Sequence, residues 1–317
     1  MTESIYDTDL FPAPGGKVET TITLSLADQE VEIPVFLVNG TAAGPTLAVT
    51  GGIHGAEYAS IEAALQLGRS IEAEEVRGKL AIVPVVNVPA FYGRLLYVSP
   101  LDNKNLNRLF PGNPEGTASE QLADWLYQSV ISQADFYVDL HGGDLVEGLI
   151  PFTIYCSTGD ESVDQKSIEM ARAFGIRYVV KSESTGSTFA AAARGGVPSI
   201  LTEAGGQGLW PPEPVRIHRE GLDRLMTHLG MLEGTAPEPV EVEMLDQFVW
   251  LRSEHRGFYY PKVEEGQVVE EGEEIGFVSD FKGNVLQPLV SPVEGKVLFL
   301  VTSLAVGEDD PLIGIGK

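Results

Sequence analysis

Pro45-Thr46-Leu47-Ala48-Val49-Thr50-Gly51-Gly52-Ile53-His54-Gly55-Ala56-Glu57 carries the key to this chain. Its first six residues are a short, mostly apolar run, the pattern of a strand covered on both faces. Two glycines then turn the chain, and a histidine and a glutamate follow three positions apart. At a strand exit that pair can bind one metal ion together, supplying two of the three protein ligands of a His₂Glu zinc site. A third candidate arrives in a similar setting. Phe136-Tyr137-Val138-Asp139-Leu140-His141-Gly142-Gly143 is another strand that ends on a histidine, His141.

Outward from this stretch, short apolar runs alternate with helical periods. Strands are expected at 47–50, 80–86, 136–140 and 197–201, and helices at 56–67, 119–131, 164–174 and 214–232. Continuous apolar strands separated by helices predict an α/β fold, a mostly parallel mixed sheet flanked by helices. Such sheets bind ligands beyond the carboxyl ends of their strands, where His54, His141 and Glu203 all fall. Residues 18–38 alternate apolar and polar and predict an antiparallel edge hairpin turning at Asp28-Gln29. Gly234-Thr235-Ala236-Pro237-Glu238-Pro239 reads as a linker, after which helical periods vanish. Short strands with glycine turns follow, as in 257–261 and 290–297, and predict a small C-terminal β-domain. The expected division is 1–235 and 236–317.

The 317 residues include 46 acidic and 21 basic side chains, a net charge of −25. That balance argues against nucleic acid, which needs clustered Lys and Arg, and against anionic membrane surfaces. No apolar run reaches the roughly 18–20 residues of a membrane-spanning helix. The N-terminus lacks the basic and apolar segments of a signal peptide, so a cytoplasmic location is expected. The single cysteine, Cys156, excludes an intrachain disulfide framework and reads as a core residue.

A zinc hydrolase needs three ligands, an open position, a general base and a donor for the developing oxyanion. His54, Glu57 and His141 could supply the ligands. Glu203 ends the stretch Val197-Pro198-Ser199-Ile200-Leu201-Thr202-Glu203 and precedes Ala204-Gly205-Gly206, which leaves room for a substrate beside a basic carboxylate. Asn107 and Arg108, in Asn105-Leu106-Asn107-Arg108-Leu109-Phe110-Pro111-Gly112, offer an amide and a guanidinium to a carboxylate or carbonyl. Asp139 is two residues from His141, on the same strand face, and could orient it. His218, His228 and His255 read as solvated or capping residues.

Those motifs, in this order, resemble the succinylglutamate desuccinylase/aspartoacylase family of the zinc carboxypeptidase (M14-like) superfamily, and the resemblance spans essentially the whole chain. His54 and Glu57 match the family's HGxE ligand pair, Asp139-Leu140-His141 its DLH ligand, Asn107-Arg108 its substrate-binding NR pair, and Glu203 its catalytic glutamate. The resemblance implies a zinc carboxypeptidase-like fold with a small C-terminal β-barrel-like domain similar to biotinyl/lipoyl carriers. It implies one Zn²⁺ per chain, a small-molecule N-acyl substrate whose amide is cleaved, and homo-oligomers, since members often associate. The stretch 112–120 is similar to the subgroup of ectoine-pathway deacetylases acting on N-acetyl-diaminobutyrate. Alternatives are a metallocarboxypeptidase acting on peptides and a zinc-binding relative without catalysis. Two positions depart from the family pattern. Asn105 stands where an aspartate is usual, and Tyr97 stands where relatives carry the arginine that polarises the scissile carbonyl. Arg94, three residues earlier, or the Tyr97 hydroxyl could replace that arginine.

Overall fold

The computed structural model describes residues 4–235, 238 and 240–317. The linker at 234–239 therefore lies partly outside the described residues. The strands of the first part are β1 (Gly16–Leu26), β2 (Gln29–Asn39), β3 (Ala42–Gly51), β4 (Arg77–Val83), β5 (Phe136–His141), β6 (Glu147–Leu149), β7 (Phe152–Cys156), β8 (Tyr178–Ser182) and β9 (Ser199–Glu203); β10 (Glu243–Leu245) follows the linker. Among the described residues nine of them form one sheet in the order β1-β2-β4-β3-β5-β9-β7-β8-β10. The centre, β4-β3-β5-β9, is parallel. The hairpin β1-β2 adds antiparallel at one side, and β7 runs antiparallel to β9. The hairpin turns at Ala27-Asp28, one residue earlier than expected, with both residues at positive φ (46° and 66°).

The helices are α1 (Tyr58–Ser70), α2 (Val88–Gly93), α3 (Ala118–Leu126), α4 (Glu161–Phe174), α5 (Thr188–Arg194) and α6 (Pro212–His228). Their ends follow local chemistry. The Thr117 and Glu120 side chains form a capping box at the start of α3. Asp160 accepts from the Ser162 and Val163 N–H groups at the start of α4, which ends on Gly175 in the left-handed region. On one sheet face α1, α4 and α6 bury Leu67, Phe174 and Leu225 against Phe36, Leu47 and Val138. On the other, α3 and α5 bury Leu126 and Ala192 with Leu37, Ile53 and Tyr137. Both faces are covered, as continuous apolar strands require. Cys156 is fully buried.

The C-terminal strands are β11 (Phe248–Arg252), β12 (Gly257–Pro261), β13 (Val268–Val269), β14 (Glu274–Ser279), β15 (Val285–Val290), β16 (Gly295–Val301), β17 (Ala305–Val306) and β18 (Pro311–Gly316). They form two antiparallel sheets, β11-β18-β16-β13 and β15-β14-β12-β17, around a core containing Tyr259, Ile275 and Ile313. Two short strands tie this region to the first part: β6 pairs with β16, and β10 pairs with β8.

Gly68 shows how closely α1 sits on the sheet. A Cβ built there would lie 2.4 Å from the buried Phe36 ring. An Ala in a helix interior is ordinarily favoured over Gly by about 1 kcal/mol. Here overpacking should win, so Gly68→Ala is expected to destabilise by about 1–3 kcal/mol in urea unfolding.

Candidate metal centre

The site is built where β3, β5 and β9 end side by side. Gly52, at φ 64°, swings the chain away from β3 and brings His54 back over the strand ends. Glu57 stands just before α1, but its carboxylate does not cap the helix. It turns inward between two imidazoles: Oε1 lies 2.6 Å from His54 Nδ1, and Oε2 lies 2.9 Å from His141 Nδ1. The three residues are buried and offer ligand atoms within 4.8 Å of one another, so this group could hold a metal ion.

The far nitrogens are also held. His54 Nε2 is 3.1 Å from Asn105 Oδ1, and His141 Nε2 is 2.9 Å from Asp139 Oδ2. An amide oxygen or a carboxylate only accepts, so each Nε2 carries the proton and each neutral ring keeps its Nδ1 lone pair for the centre. Asp139 is fully buried and accepts two further donors, Thr50 Oγ1 at 2.7 Å and the Thr188 hydroxyl. Asn107 is buried, and its Oδ1 accepts from the Thr188 N–H at 3.0 Å. Its amide nitrogen is thus aimed by the start of α5. Thr188 and Asn105 are absent from the sequence-derived site, although Asn105 belongs to the quoted motif.

Burial opposes charge on all of these groups, and their mutual attraction decides the outcome. For Glu57, desolvation is outweighed by the two imidazoles, which hold its carboxyl at about 2. For His141, desolvation is outweighed by Asp139 and Glu57, and its pKa is raised well above the usual range. His54 is raised by Glu57 against the same penalty. Glu203 behaves differently. It ends β9 directly opposite His141 in the parallel ladder, and its buried Oε2 has no hydrogen-bond partner. Burial pushes its pKa well up; His141 pulls the other way, and Glu57 and Glu147 add to the rise.

These groups line a cavity of about 940 Å³ that reaches across to β11, where Arg252 faces it. Asn107, Arg108 and Tyr97 also line it. Arg108 donates from Nη1 to the Asn107 carbonyl at 2.8 Å, and burial followed by repulsion from Arg252 lowers its pKa. Tyr97 adopts φ 54°, gives its N–H to Asp144 at 2.9 Å and donates its hydroxyl to Glu147. Its proton is therefore spent on a carboxylate and does not face the metal centre as a free donor. Arg94 is exposed at the end of α2 and does not line the cavity. His218 corrects the expectation of a solvated or capping residue. It is fully buried in α6 with Nδ1 3.1 Å from Thr202 Oγ1, and burial depresses its pKa to about 4, so it is neutral.

With this geometry in view, the similarities of the chain become specific. The catalytic-domain profile of the succinylglutamate desuccinylase/aspartoacylase family matches residues 43–229. The N-alpha-acetyl-L-2,4-diaminobutyric acid deacetylase of Halomonas elongata is 35% identical over 267 residues, 82% of this chain and 77% of the relative. The chain belongs to the succinylglutamate desuccinylase/aspartoacylase family. Its fold is that of the family's solved structures. The succinylglutamate desuccinylase/aspartoacylase of Rhodobacter sphaeroides superimposes with a TM-score of 0.88 at 28% identity, covering 98% of this chain and 97% of that one. The product-bound ectoine utilization protein EutE (DoeB) of Ruegeria pomeroyi gives 0.87 at 28% identity with the same coverage, 98% and 97%. As a member of this deacylase family the chain is a hydrolase, and among its described residues no helix is long and apolar enough to cross a membrane.

The acceptor on His141 Nε2 is testable. Asp139→Asn keeps the shape of the side chain and removes its charge. Zinc affinity, measured by chelator competition, is expected to fall about 10–100-fold, with the folded circular dichroism spectrum retained.

Proposed function

We propose that this protein is a zinc-dependent hydrolase that removes the acyl group from an N-acyl amino acid. The observation that carries the reading is the meeting of His54, Glu57 and His141 with an unpartnered Glu203 carboxylate at adjacent strand ends. Two imidazole nitrogens and a carboxylate oxygen are a donor set that suits zinc, and three protein ligands leave a position open. The inward Nδ1 lone pairs, fixed by Asn105 and Asp139, fit that assignment. When bound at these three residues, zinc supplies Lewis acidity, which polarises a carbonyl and lowers the pKa of a water to about 7.

In this reading the chain's own groups divide the remaining work. Glu203 accepts the proton of the attacking water and returns it to the leaving nitrogen. Burial raises its pKa, which makes the carboxylate a stronger base than an ordinary one and its acid form able to return the proton. Asn107 and Arg108 hold the carboxylate of the amino-acid part, the amide through its nitrogen and the guanidinium from the cavity wall. An acetylated diamino acid is the first substrate to try, since that is what the Halomonas elongata relative is named for.

Glu203→Gln is expected to keep its zinc and lose about 10²–10⁴-fold in kcat on an N-acetyl amino acid. His54→Ala should lose the metal itself, read by elemental analysis of protein purified without chelator. Full zinc content in that variant, or full turnover in Glu203→Gln, would overturn the respective role.

Zinc loading also has a pH signature. Without metal, His54 and His141 hold protons above the ordinary histidine range. A cation must displace those protons. Affinity is therefore expected to fall steadily as pH is lowered, beginning above the ordinary histidine range, with proton release on binding seen as buffer-dependent heat in calorimetry.

A further inference from the structure

Among the described residues, Glu147 is the one buried cavity-lining carboxylate with neither a place in the metal centre nor a cation beside it. It enters β6 and is only 6% exposed, yet it lines the same cavity as His54 and Tyr97. Among the described residues it forms no ion pair with any lysine, arginine or histidine. Its two oxygens take one donor each, the Tyr97 hydroxyl and the Asp144 N–H at 2.7 Å. A carboxylate has about four acceptor sites, so roughly half of its capacity is unused. Tyr97 adds to this. Its only proton is committed to Glu147, which leaves the phenol oxygen able to accept and unable to donate to a ligand. Asp144 is fully buried just behind, accepting from the Tyr97 and Leu145 N–H groups.

The pair therefore presents acceptors only, in a buried place where a charge without a partner is costly. Nearby in the same cavity, Arg108 and Arg252 present donors only. A ligand that satisfies both walls carries an anion at one end and a group rich in N–H at the other.

We propose that Glu147, with the Tyr97 oxygen, is a specificity-determining subsite for a primary ammonium on the substrate, so that the substrate class is the N-acyl diamino acid. This rests on the deacylase reading for the chemistry and adds to it the group that distinguishes one amino acid from another. Tyr97 is uncharged, so the Glu147 carboxylate stays available to a cation on the ligand.

Two pairs of compounds test the subsite. In calorimetry on the zinc-loaded protein, 2,4-diaminobutyrate should bind roughly 10–100-fold more tightly than 2-aminobutyrate, the range of a charge-assisted hydrogen bond. The ratio of kcat/KM for their Nα-acetyl derivatives should show the same preference. Glu147→Gln should collapse both ratios towards one, and Glu147→Asp should restore part of them. If neither variant folds, the wild-type ratios still decide. Equal binding of the two amino acids by the wild type, or a preference retained in Glu147→Gln, overturns the subsite. Preferential binding of the diamino acid without turnover of any acyl derivative refutes the deacylase reading and leaves the subsite standing. Hydrolysis of both acetyl derivatives with equal kcat/KM does the reverse.

Discussion

The carboxylate of Glu57, shared between two imidazoles, is the constraint around which the rest of this structure is arranged. A buried charge is tolerated only when it is paired and hydrogen-bonded, and Glu57 meets that requirement with one partner from the turn after β3 and one from the end of β5. His54 leaves β3 and His141 ends β5, and the register Gly51↔Leu140 brings those ends level. The next register, His141↔Glu203, delivers a second carboxylate to the same place. A slip of one residue in either pairing would turn His141 or Glu203 towards the opposite face of the sheet. The apolar packing on both sheet faces therefore does more than stabilise: it fixes the alignment on which the site depends.

Behind the site, polar groups continue into the core. Tyr137, Thr50, Asp139 and Thr188 form an unbroken buried chain that ends on His141 at one side and reaches Asn107 at the other. Such a network specifies one arrangement because each member, once buried, needs its neighbour. It links the orientation of the His141 ring to the orientation of the Asn107 amide on the cavity wall.

Much of this was legible in the sequence, and the gaps have physical reasons. The HGxE pair, the DLH strand end and the central parallel strands are local signals, carried by residues close together in the chain. The partners of those residues are not local. Thr188 reaches Asp139 from 49 positions away, and Glu147 reaches Tyr97 from 50. The antiparallel direction of β7 has no local signature, since a buried strand reads the same in either sense. β8 and α5 lie either side of the polar run Ser182-Glu183-Ser184-Thr185-Gly186-Ser187, which masks both as loop. His218 is a different case. Its neighbours Val215, Gly221, Leu222 and Leu225 are buried at helical spacing, so the apolar face of α6 already pointed to burial. The expectation of a solvated or capping residue followed residue type over position.

The pairing of β6 with β16 bears on how such an enzyme can change over evolution. Glu147 lies on β6, opposite Val301 of β16. A wall of the cavity is thus held in place by a segment more than 150 residues further along the chain. Arg252, on β11, comes from the same late region. Recombination that exchanged the last quarter of the chain as a module would not leave the cavity untouched. It would replace part of the wall that the ligand meets and remove the strand that positions another part. Insertions and drift in the C-terminal sheets can thereby reshape the cavity wall while His54, Glu57 and His141 stay unaltered.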